Sequence, residues 1–261
     1  MTKIASHIES INRTNKKALT IFLTAGFPAK ENFVELALSV LDNGADILEI
    51  GIPFSDSLAD GPVVQSSYQD ALQNGTTIKD VLGFCEKIKA KTDKPLILMG
   101  DANPVLKYGT QKFCRDGLNS GISGLIIPNI PVNEYDSFYS DDFKDFEKIL
   151  LTTPTSSDER IKEIDGKSEG FVYCVSVKGT TGIRNKFDES VLKNLERTYS
   201  LVTKNKMLIG FGISSPDNIK LFSPHCDGVI VGSAVIKKIK ESKNISEVGE
   251  LVKTLNVACS N

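Results

Sequence analysis

The segment DILEIGIPFSDSLADGP, residues 46–62, contains the unit on which the fold prediction rests. Its first part, DILEIG, is a short apolar run without strict alternation between apolar and polar residues. Such a run is typical of a strand buried on both faces, as in parallel sheets. A loop of small residues, aspartate and proline follows, and a helix is predicted at Val63–Gln73. The segment therefore predicts one strand–loop–helix unit.

Seven further runs of this kind occur along the chain, and segments with helical periodicity separate them. In Glu31–Asn43, for example, apolar residues recur at the spacing of one helix face. Eight strands that alternate with helices predict a (β/α)8 TIM barrel, preceded by an extra N-terminal helix at Lys3–Lys17. A doubly wound open sheet is the alternative, but no GxGxxG motif follows the first strand. The other predicted strands are Leu19–Thr24, Pro95–Gly100, Gly124–Pro128, Lys148–Thr152, Phe171–Val177, Met207–Phe211 and Asp227–Val231.

The composition excludes several classes of protein. The 261 residues include 31 Lys and Arg and 33 Asp and Glu, a net charge of −2, which does not indicate a nucleic-acid or membrane partner. No change in composition marks a linker, so residues 1–261 are predicted to form a single domain. No apolar run reaches the roughly 20 residues of a membrane span, and the N-terminus lacks the apolar run of a signal peptide. We therefore expect a cytoplasmic location.

Cysteine and histidine are few and scattered. The five cysteines are odd in number and have no CxxC spacing, which argues against a disulfide framework or a zinc ribbon. The two histidines, His7 and His225, lie far apart in sequence, which excludes a histidine-rich metal site. Proton transfer in an enzyme of this composition would therefore fall to carboxylates, lysine or tyrosine.

Two carboxylates follow one another around the second strand. Glu49 lies within that strand, and a period of two places it on the same face as Ile47 and Gly51. A buried carboxylate is unfavourable unless it is used or paired, so Glu49 is a candidate for catalysis or for an ion pair. Asp60 lies in the next loop, where an isolated aspartate would more simply cap the following helix. Together, two carboxylates in different surroundings can divide into an acid and a base.

Glycines follow the last two predicted strands. Gly210–Ser214 closes the seventh strand, and Gly232 and Ser233 follow the eighth and open the helix after it. A helix start offers free N–H groups, and glycine lets a ligand approach the backbone. Because the loops after strands seven and eight frequently bind phosphate in barrels, the two turns predict a phosphate site.

The loop after the sixth strand, residues 176–185, is rich in glycine and threonine and contains one lysine and one arginine. It is predicted to be a lid, a further phosphate contact or an ordinary solvated loop. Lys178 is a candidate Schiff-base nucleophile, although alternation along the strand places it on the face opposite Tyr173. Phe22, Tyr173 and Phe211 either form the wall of an apolar pocket or belong to the core.

Six stretches of the sequence carry a resemblance to a known family. They are Leu48–Asp56, Leu58–Pro62, Ala102–Pro104, Gly179–Gly182, Gly210–Ser214 and Val231–Ala234. Over essentially the whole chain they resemble the tryptophan synthase α chain, and the first two stretches are the most specific. The resemblance implies a lyase of tryptophan biosynthesis that cleaves indole-3-glycerol phosphate to indole and glyceraldehyde 3-phosphate.

The resemblance also implies roles for single residues. Glu49 would protonate C3 of the indole and accept the proton of the glycerol hydroxyl, and Asp60 would stabilise the positive charge at the indole nitrogen. Because the indole ring takes up the electrons, the resemblance implies no cofactor and no metal in this chain. The implied substrate-binding residues are Phe22, Tyr173 and Phe211 for indole, Gly182, Gly212, Gly232 and Ser233 for phosphate, and Thr181 in a lid.

The same resemblance implies a partner protein. Members of the family bind a β chain that carries pyridoxal phosphate, in an α2β2 heterotetramer, and pass indole to it through a tunnel. The loop Pro53–Asp60 would then be both catalytic and interfacial.

The sequence also departs from the usual family pattern at three positions. Asp101 stands where the family usually has an aromatic residue, and we expect it to raise the pKa of a neighbouring carboxyl. Ser57 replaces a usual proline, and Asn129 replaces a usual aspartate.

Two alternatives remain open at this point. One is another phosphate-binding barrel enzyme, such as a sugar-phosphate isomerase or an aldolase that uses Lys178. The other is a subunit that activates its β chain without catalysis. The presence of both Glu49 and Asp60 argues against the latter, whereas Asp101 keeps it open.

Overall fold

Parallel strands form the centre of the molecule in the computed structural model, which describes residues 3–176, 187 and 189–260. Within these residues, nine strands make one parallel sheet. The strands are β1 (Ala18–Thr24), β2 (Ile47–Gly51), β3 (Leu96–Met99), β4 (Gly124–Ile126), β5 (Glu147–Lys148), β6 (Leu150–Thr152), β7 (Phe171–Val175), β8 (Lys206–Gly210) and β9 (Gly228–Val231). The helices are α1 (Lys3–Asn12), α2 (Phe33–Asp42), α3 (Pro62–Gln73), α4 (Ile78–Lys89), α5 (Ala102–Tyr108), α6 (Thr110–Asn119), α7 (Tyr135–Phe138), α8 (Asp158–Lys167), α9 (Glu189–Leu201), α10 (Pro216–Phe222), α11 (Ser233–Glu241) and α12 (Ile245–Ala258).

The sheet closes into a barrel where the sequence predicts its fifth strand, Lys148–Thr152. The observed strand consists of two parts, β5 and β6, with Ile149 between them. β5 pairs with β4, whereas β6 pairs with β7, so this one residue joins the two ends of the hydrogen-bonded sheet. The prediction of one continuous strand is therefore wrong. Barrel strands are staggered, so the first half reaches one neighbour and the second half reaches the other.

The strands are covered on both sides, as the apolar runs predict. Every residue of β1, β2, β3, β7 and β9 is buried. The predicted (β/α)8 barrel is confirmed, although some strands are shorter than predicted. β4 ends at Ile126, since the chain then turns and the N–H of Ile130 donates to the carbonyl of Ile127. β7 ends at Val175, and Ser176 already belongs to the loop.

The predicted extra helix, α1, covers the N-terminal end of the barrel. Ile4 is fully buried, and the carboxylate of Glu147 accepts a hydrogen bond from its backbone N–H at 3.0 Å. A Cβ atom on Gly124, the first residue of β4, would lie 2.7 Å from the Ile4 side chain, so the helix packs directly on the strand. α1 ends at Asn12, earlier than predicted, and the chain turns at Asn15, whose φ of 60° is not compatible with a right-handed helix.

The C-terminal ends of the strands meet at the opposite end of the barrel, where barrel enzymes have their active sites. Among the described helices, none is both long and apolar enough to cross a membrane. The described part of the chain also contains no group of three or more His, Cys, Asp or Glu side chains that could hold a metal ion.

Candidate active site

A cavity lies at the C-terminal mouth of the barrel. It is lined by residues of β1, β2, β3, β7 and β9 and of the segments that follow β2, β8 and β9, which are far apart in the sequence. Thr181 and Gly182 lie outside the described residues, as does Lys178. The other predicted site residues all line this cavity: Phe22, Glu49, Asp60, Tyr173, Phe211, Gly212, Gly232 and Ser233.

Glu49 reaches the cavity from the middle of β2. Its side chain is 1% exposed, and its Oε2 has no hydrogen-bond partner among the described residues. The strand register places it between Phe22 of β1 and Ile97 of β3. Burial, and to a smaller extent the charge of Asp60, raises the pKa of Glu49 to about 8. Glu49 is therefore protonated at neutral pH and can donate a proton.

Asp60 lies at the end of the loop after β2, in different surroundings. Burial and the charge of Asp101 raise its pKa, whereas a hydrogen bond from Ser57 lowers it, and the resulting pKa is about 6. In that bond Ser57 Oγ donates to Asp60 Oδ2 at 2.5 Å. Asp60 is therefore mainly ionised at neutral pH. The N-cap of α3 is Gly61, so the simpler prediction that Asp60 caps this helix is wrong.

Hydrogen bonds from α3 fix the shape of this loop. Gln65 Nε2 donates to the backbone carbonyl of Ser57 at 2.8 Å and to that of Asp60 at 2.9 Å. Leu58, between these two residues, is 85% exposed. The loop therefore directs a carboxylate into the cavity and presents an apolar side chain to the outside.

Two further polar residues stand beside the carboxylate pair. Asp101 is buried immediately before α5, and its charge raises the pKa of Asp60, as predicted. Tyr68 of α3 is also buried, and its hydroxyl lies close enough to lower the pKa of Asp60, although it makes no hydrogen bond of standard geometry to a described residue. Burial and the charges of Asp60, Glu49 and Asp101 raise the pKa of Tyr68 well above its usual value, so it remains a neutral hydroxyl.

Aromatic rings form the apolar walls of the cavity. Phe22 packs against Tyr68 with 6.5 Å between ring centroids, and Tyr173 meets Phe211 edge to face at 5.9 Å. Gly210 leaves the space for Tyr173, since a Cβ atom there would lie 2.2 Å from the tyrosine hydroxyl. Phe211 has a φ of 69°, a left-handed conformation that is strained for an aromatic residue and is found at functional sites.

The two glycine turns lie at another side of the same cavity. Gly212 has a φ of 79°, a conformation that favours glycine. Gly232 is the N-cap of α11, and Ser233 is the first residue of that helix. The free N–H groups and the positive end of the helix dipole therefore lie at the cavity wall, an arrangement that suits an anionic group.

Tyr68 and the apolar residues that complete the lining were not predicted from the sequence. A signal for Tyr68 does exist in the sequence. Tyr68 follows Val64 by four residues in α3, and both are buried on the same helix face. Helical spacing after a catalytic loop is therefore a way to find such residues. The additional lining residues are Val64, Met99, Ile213 and Ile230.

A parallel barrel with one protonated and one ionised carboxyl in its mouth defines a (β/α)8-barrel enzyme of the acid–base type. The family model described as "Tryptophan synthase alpha chain" matches residues 8–260. The chain therefore belongs to the tryptophan synthase alpha chain family, and it is a lyase of tryptophan biosynthesis. The predicted family and the predicted class of enzyme are confirmed.

Individual relatives are similar over nearly their full length. The chain is 42% identical over 255 residues to the tryptophan synthase alpha chain of Thermoanaerobacter pseudethanolicus, covering 97% of each chain. It is 43% identical over 242 residues to that of Petrotoga mobilis, covering 92% of this chain and 93% of the relative. Among solved structures, tryptophan synthase of Mycobacterium tuberculosis superposes with a TM-score of 0.91 at 28% identity, covering 100% of this chain and 99% of that chain. The alpha subunit of Legionella pneumophila superposes with a TM-score of 0.88 at 31% identity, covering 99% and 98%.

Proposed function

We propose that this chain cleaves indole-3-glycerol phosphate to indole and glyceraldehyde 3-phosphate with Glu49 and Asp60 as its catalytic residues. The observation that carries the proposal is the contrast between two carboxyls in one cavity. Burial raises the pKa of Glu49 to about 8, whereas that of Asp60 is about 6. At neutral pH one group is an acid and the other is an anion, and the retro-aldol reaction requires both.

The reaction begins at the indole ring. Protonated Glu49 donates its proton to C3, and the ring becomes a cation with its charge at the nitrogen. Ionised Asp60 stabilises this charge and accepts a hydrogen bond from the ring N–H. Because both carboxyls are buried, this attraction is stronger than it would be in water.

Cleavage of the carbon–carbon bond follows. Glu49, now a carboxylate, removes the proton of the hydroxyl on the side-chain carbon attached to C3. The bond between that carbon and C3 breaks, its electrons return to the ring, and the aldehyde forms. Glu49 ends in the protonated state in which it began. Because the indole ring is the electron acceptor, we propose that the chain uses no cofactor or metal of its own.

The rest of the cavity would hold the substrate at its two ends. Phe22, Tyr173 and Phe211 offer apolar walls for the indole. The start of α11 and the turn at Gly212 offer backbone N–H groups for the phosphate. Thr181 and Gly182 keep their proposed roles as a lid residue and a phosphate contact, outside the described residues.

We further propose that the chain binds a tryptophan synthase β chain carrying pyridoxal phosphate, in an α2β2 heterotetramer, and passes indole to it. The solved structures of similar chains include tryptophan synthase from Mycobacterium tuberculosis. In addition, Leu58 and Leu106 are large apolar side chains exposed at 85% and 55%. They follow β2 and β3, which are paired neighbours, so both lie on one side of the barrel mouth, where a partner would cover them.

The test is release of indole from indole-3-glycerol phosphate by the purified chain, with and without a β chain. Glu49→Gln and Asp60→Asn are measured alongside, because each keeps the shape of the side chain and removes its titration. We expect both substitutions to lower kcat/KM by roughly 10²–10⁴-fold, the usual contribution of an acid–base group. We also expect the β chain to stimulate release by the wild type.

Other outcomes would support the alternatives. Absence of release under both conditions, with the β reaction still accelerated, would show a subunit that regulates without catalysis. Asp101 would then be the first residue to replace. Trapping of substrate by borohydride would instead indicate a Schiff base and point to Lys178.

A further inference from the structure

The side chain of Ser57 is buried against Asp60 but is not part of the cavity lining. The two side chains are joined by the 2.5 Å hydrogen bond from Ser57 Oγ to Asp60 Oδ2. Gln65 donates to the backbone carbonyls of both residues, so the backbone that carries the two side chains is also held in place. A buried hydrogen bond from a hydroxyl to a carboxylate is short and strong compared with one between neutral groups.

We propose that Ser57 is a positioning residue, whose hydroxyl holds the Asp60 carboxylate at the cavity wall against the repulsion of Asp101. The inference rests on the proposed function, in which Asp60 stabilises the cationic indole. Ser57 does not touch the substrate in this account. It acts through Asp60, by orienting the carboxylate and by favouring its ionised form.

The charges around Asp60 explain why such a donor is needed. Among the described residues, the titratable groups that face it are Glu49 from β2, Tyr68 from α3, Tyr173 from β7 and Asp101 from the segment after β3. At neutral pH Glu49 and both tyrosines are neutral, so within this set Asp101 opposes the charge of Asp60. Ser57 also lowers the pKa of Asp101, so its hydroxyl acts on both carboxyls.

Ser57 and Asp101 thus act on the same carboxylate, one as a donor and the other as a like charge. Their effects on the pKa of Asp60 are opposite in sign, since Ser57 lowers it and Asp101 raises it.

The test compares wild type with Ser57→Ala, Asp101→Asn, the double variant and Ser57→Thr, which retains the hydroxyl. In the pH profile of kcat/KM for cleavage, Ser57→Ala should shift the acidic limb to higher pH, and Asp101→Asn should shift it to lower pH. We expect Ser57→Ala to lower kcat roughly tenfold or more, with a smaller change in KM, because the lost bond is to a charged group. In the double variant the loss should be smaller, and Ser57→Thr should keep most of the activity.

A second measurement does not depend on activity. Carboxyl ¹³C NMR titration, with Asp60 assigned through Asp60→Asn, should show its pKa raised in Ser57→Ala and lowered in Asp101→Asn. An unmoved Asp60 pKa in both variants, with urea unfolding showing that they fold, would overturn the inference even in an active enzyme. Absence of indole release by wild type would refute the proposed function instead, and the NMR titration would still decide whether Ser57 holds Asp60.

Discussion

Replacement of Glu49 by glutamine should stabilise the folded chain, by an amount that grows with pH. Glu49 is fully buried, and burial raises its pKa from 4.5 to about 8. At pH values between 4.5 and about 8, the folded state holds a proton that the unfolded state has released. The wild type therefore loses stability as the pH rises through this interval, and this loss is complete once the pH passes the folded-state pKa. Glutamine resembles the protonated glutamate in shape and does not titrate.

The expected magnitude follows from the same interval. Neutral pH lies about 2.5 units above 4.5, and each unit corresponds to about 1.4 kcal/mol, so the wild type has lost about 3 kcal/mol at pH 7. At pH 4.5 the unfolded state is half-ionised and the loss is only about 0.4 kcal/mol, and well below pH 4.5 both states bind the proton and the loss is close to zero. Glu49→Gln should therefore match the wild type at acidic pH and exceed its free energy of unfolding by about 3 kcal/mol at pH 7.

Urea unfolding at pH 4.5 and pH 7 measures this difference, with Glu86→Gln as a matched control. Glu86 is exposed on α4, so its replacement should change the free energy of unfolding little at either pH. A difference between Glu49→Gln and wild type that is the same at both pH values would refute the reasoning. A less stable Glu49→Gln at pH 7 would show that the Glu49 carboxylate is ionised and compensated by a partner.

Three further predictions concern pH, packing and the partner. The kcat/KM for indole release should be bell-shaped, with limbs near pH 6 and 8 from the two cavity carboxyls, and a flat profile would contradict their roles. Gly210→Ala should displace Tyr173 and destabilise the fold by about 1–3 kcal/mol. In urea unfolding its control, Gly83→Ala, should stabilise α4 by about 0.5–1 kcal/mol, because no atom lies within 4 Å of the new methyl. Leu58→Asp should weaken β-chain binding in calorimetry, whereas Val257→Asp, exposed on α12, should not; equal effects would exclude Leu58 from the interface.

The barrel could be predicted from the sequence because parallel strands buried on both faces leave a clear pattern. The order of strands and helices, and even the extra helix at the N-terminus, follow from that pattern. The division of Lys148–Thr152 into two strands does not, because it depends on the stagger between strands that are distant in sequence. The residue that separates them, Ile149, is apolar like its neighbours and gives no local signal.

The site residues that could be predicted from the sequence are those that lie in the strands or in the segments directly after them. Glu49 was identifiable because a carboxylate is unusual within a buried apolar run, whereas Asp60 became a candidate only as the partner of Glu49 and through the family resemblance. Tyr68 was not predicted, because the helical spacing that places it on the same face as Val64 is also typical of ordinary core residues. The contact between Ser57 and Asp60 depends on how the loop folds back on itself, which no periodicity describes.

The positions of the two carboxyls determine which of them is the acid. Glu49 lies on a strand whose backbone N–H groups are taken up by the sheet, and Oε2 of its buried side chain has no hydrogen-bond donor among the described residues. It is therefore neutral and has a proton to give. Asp60 lies in a loop, where the Ser57 hydroxyl supports its negative charge. In the proposed mechanism, exchange of these two states would leave no proton for C3 of the indole and no anion for the ring nitrogen, so the strand pairing that buries Glu49 would also set the order of proton transfer.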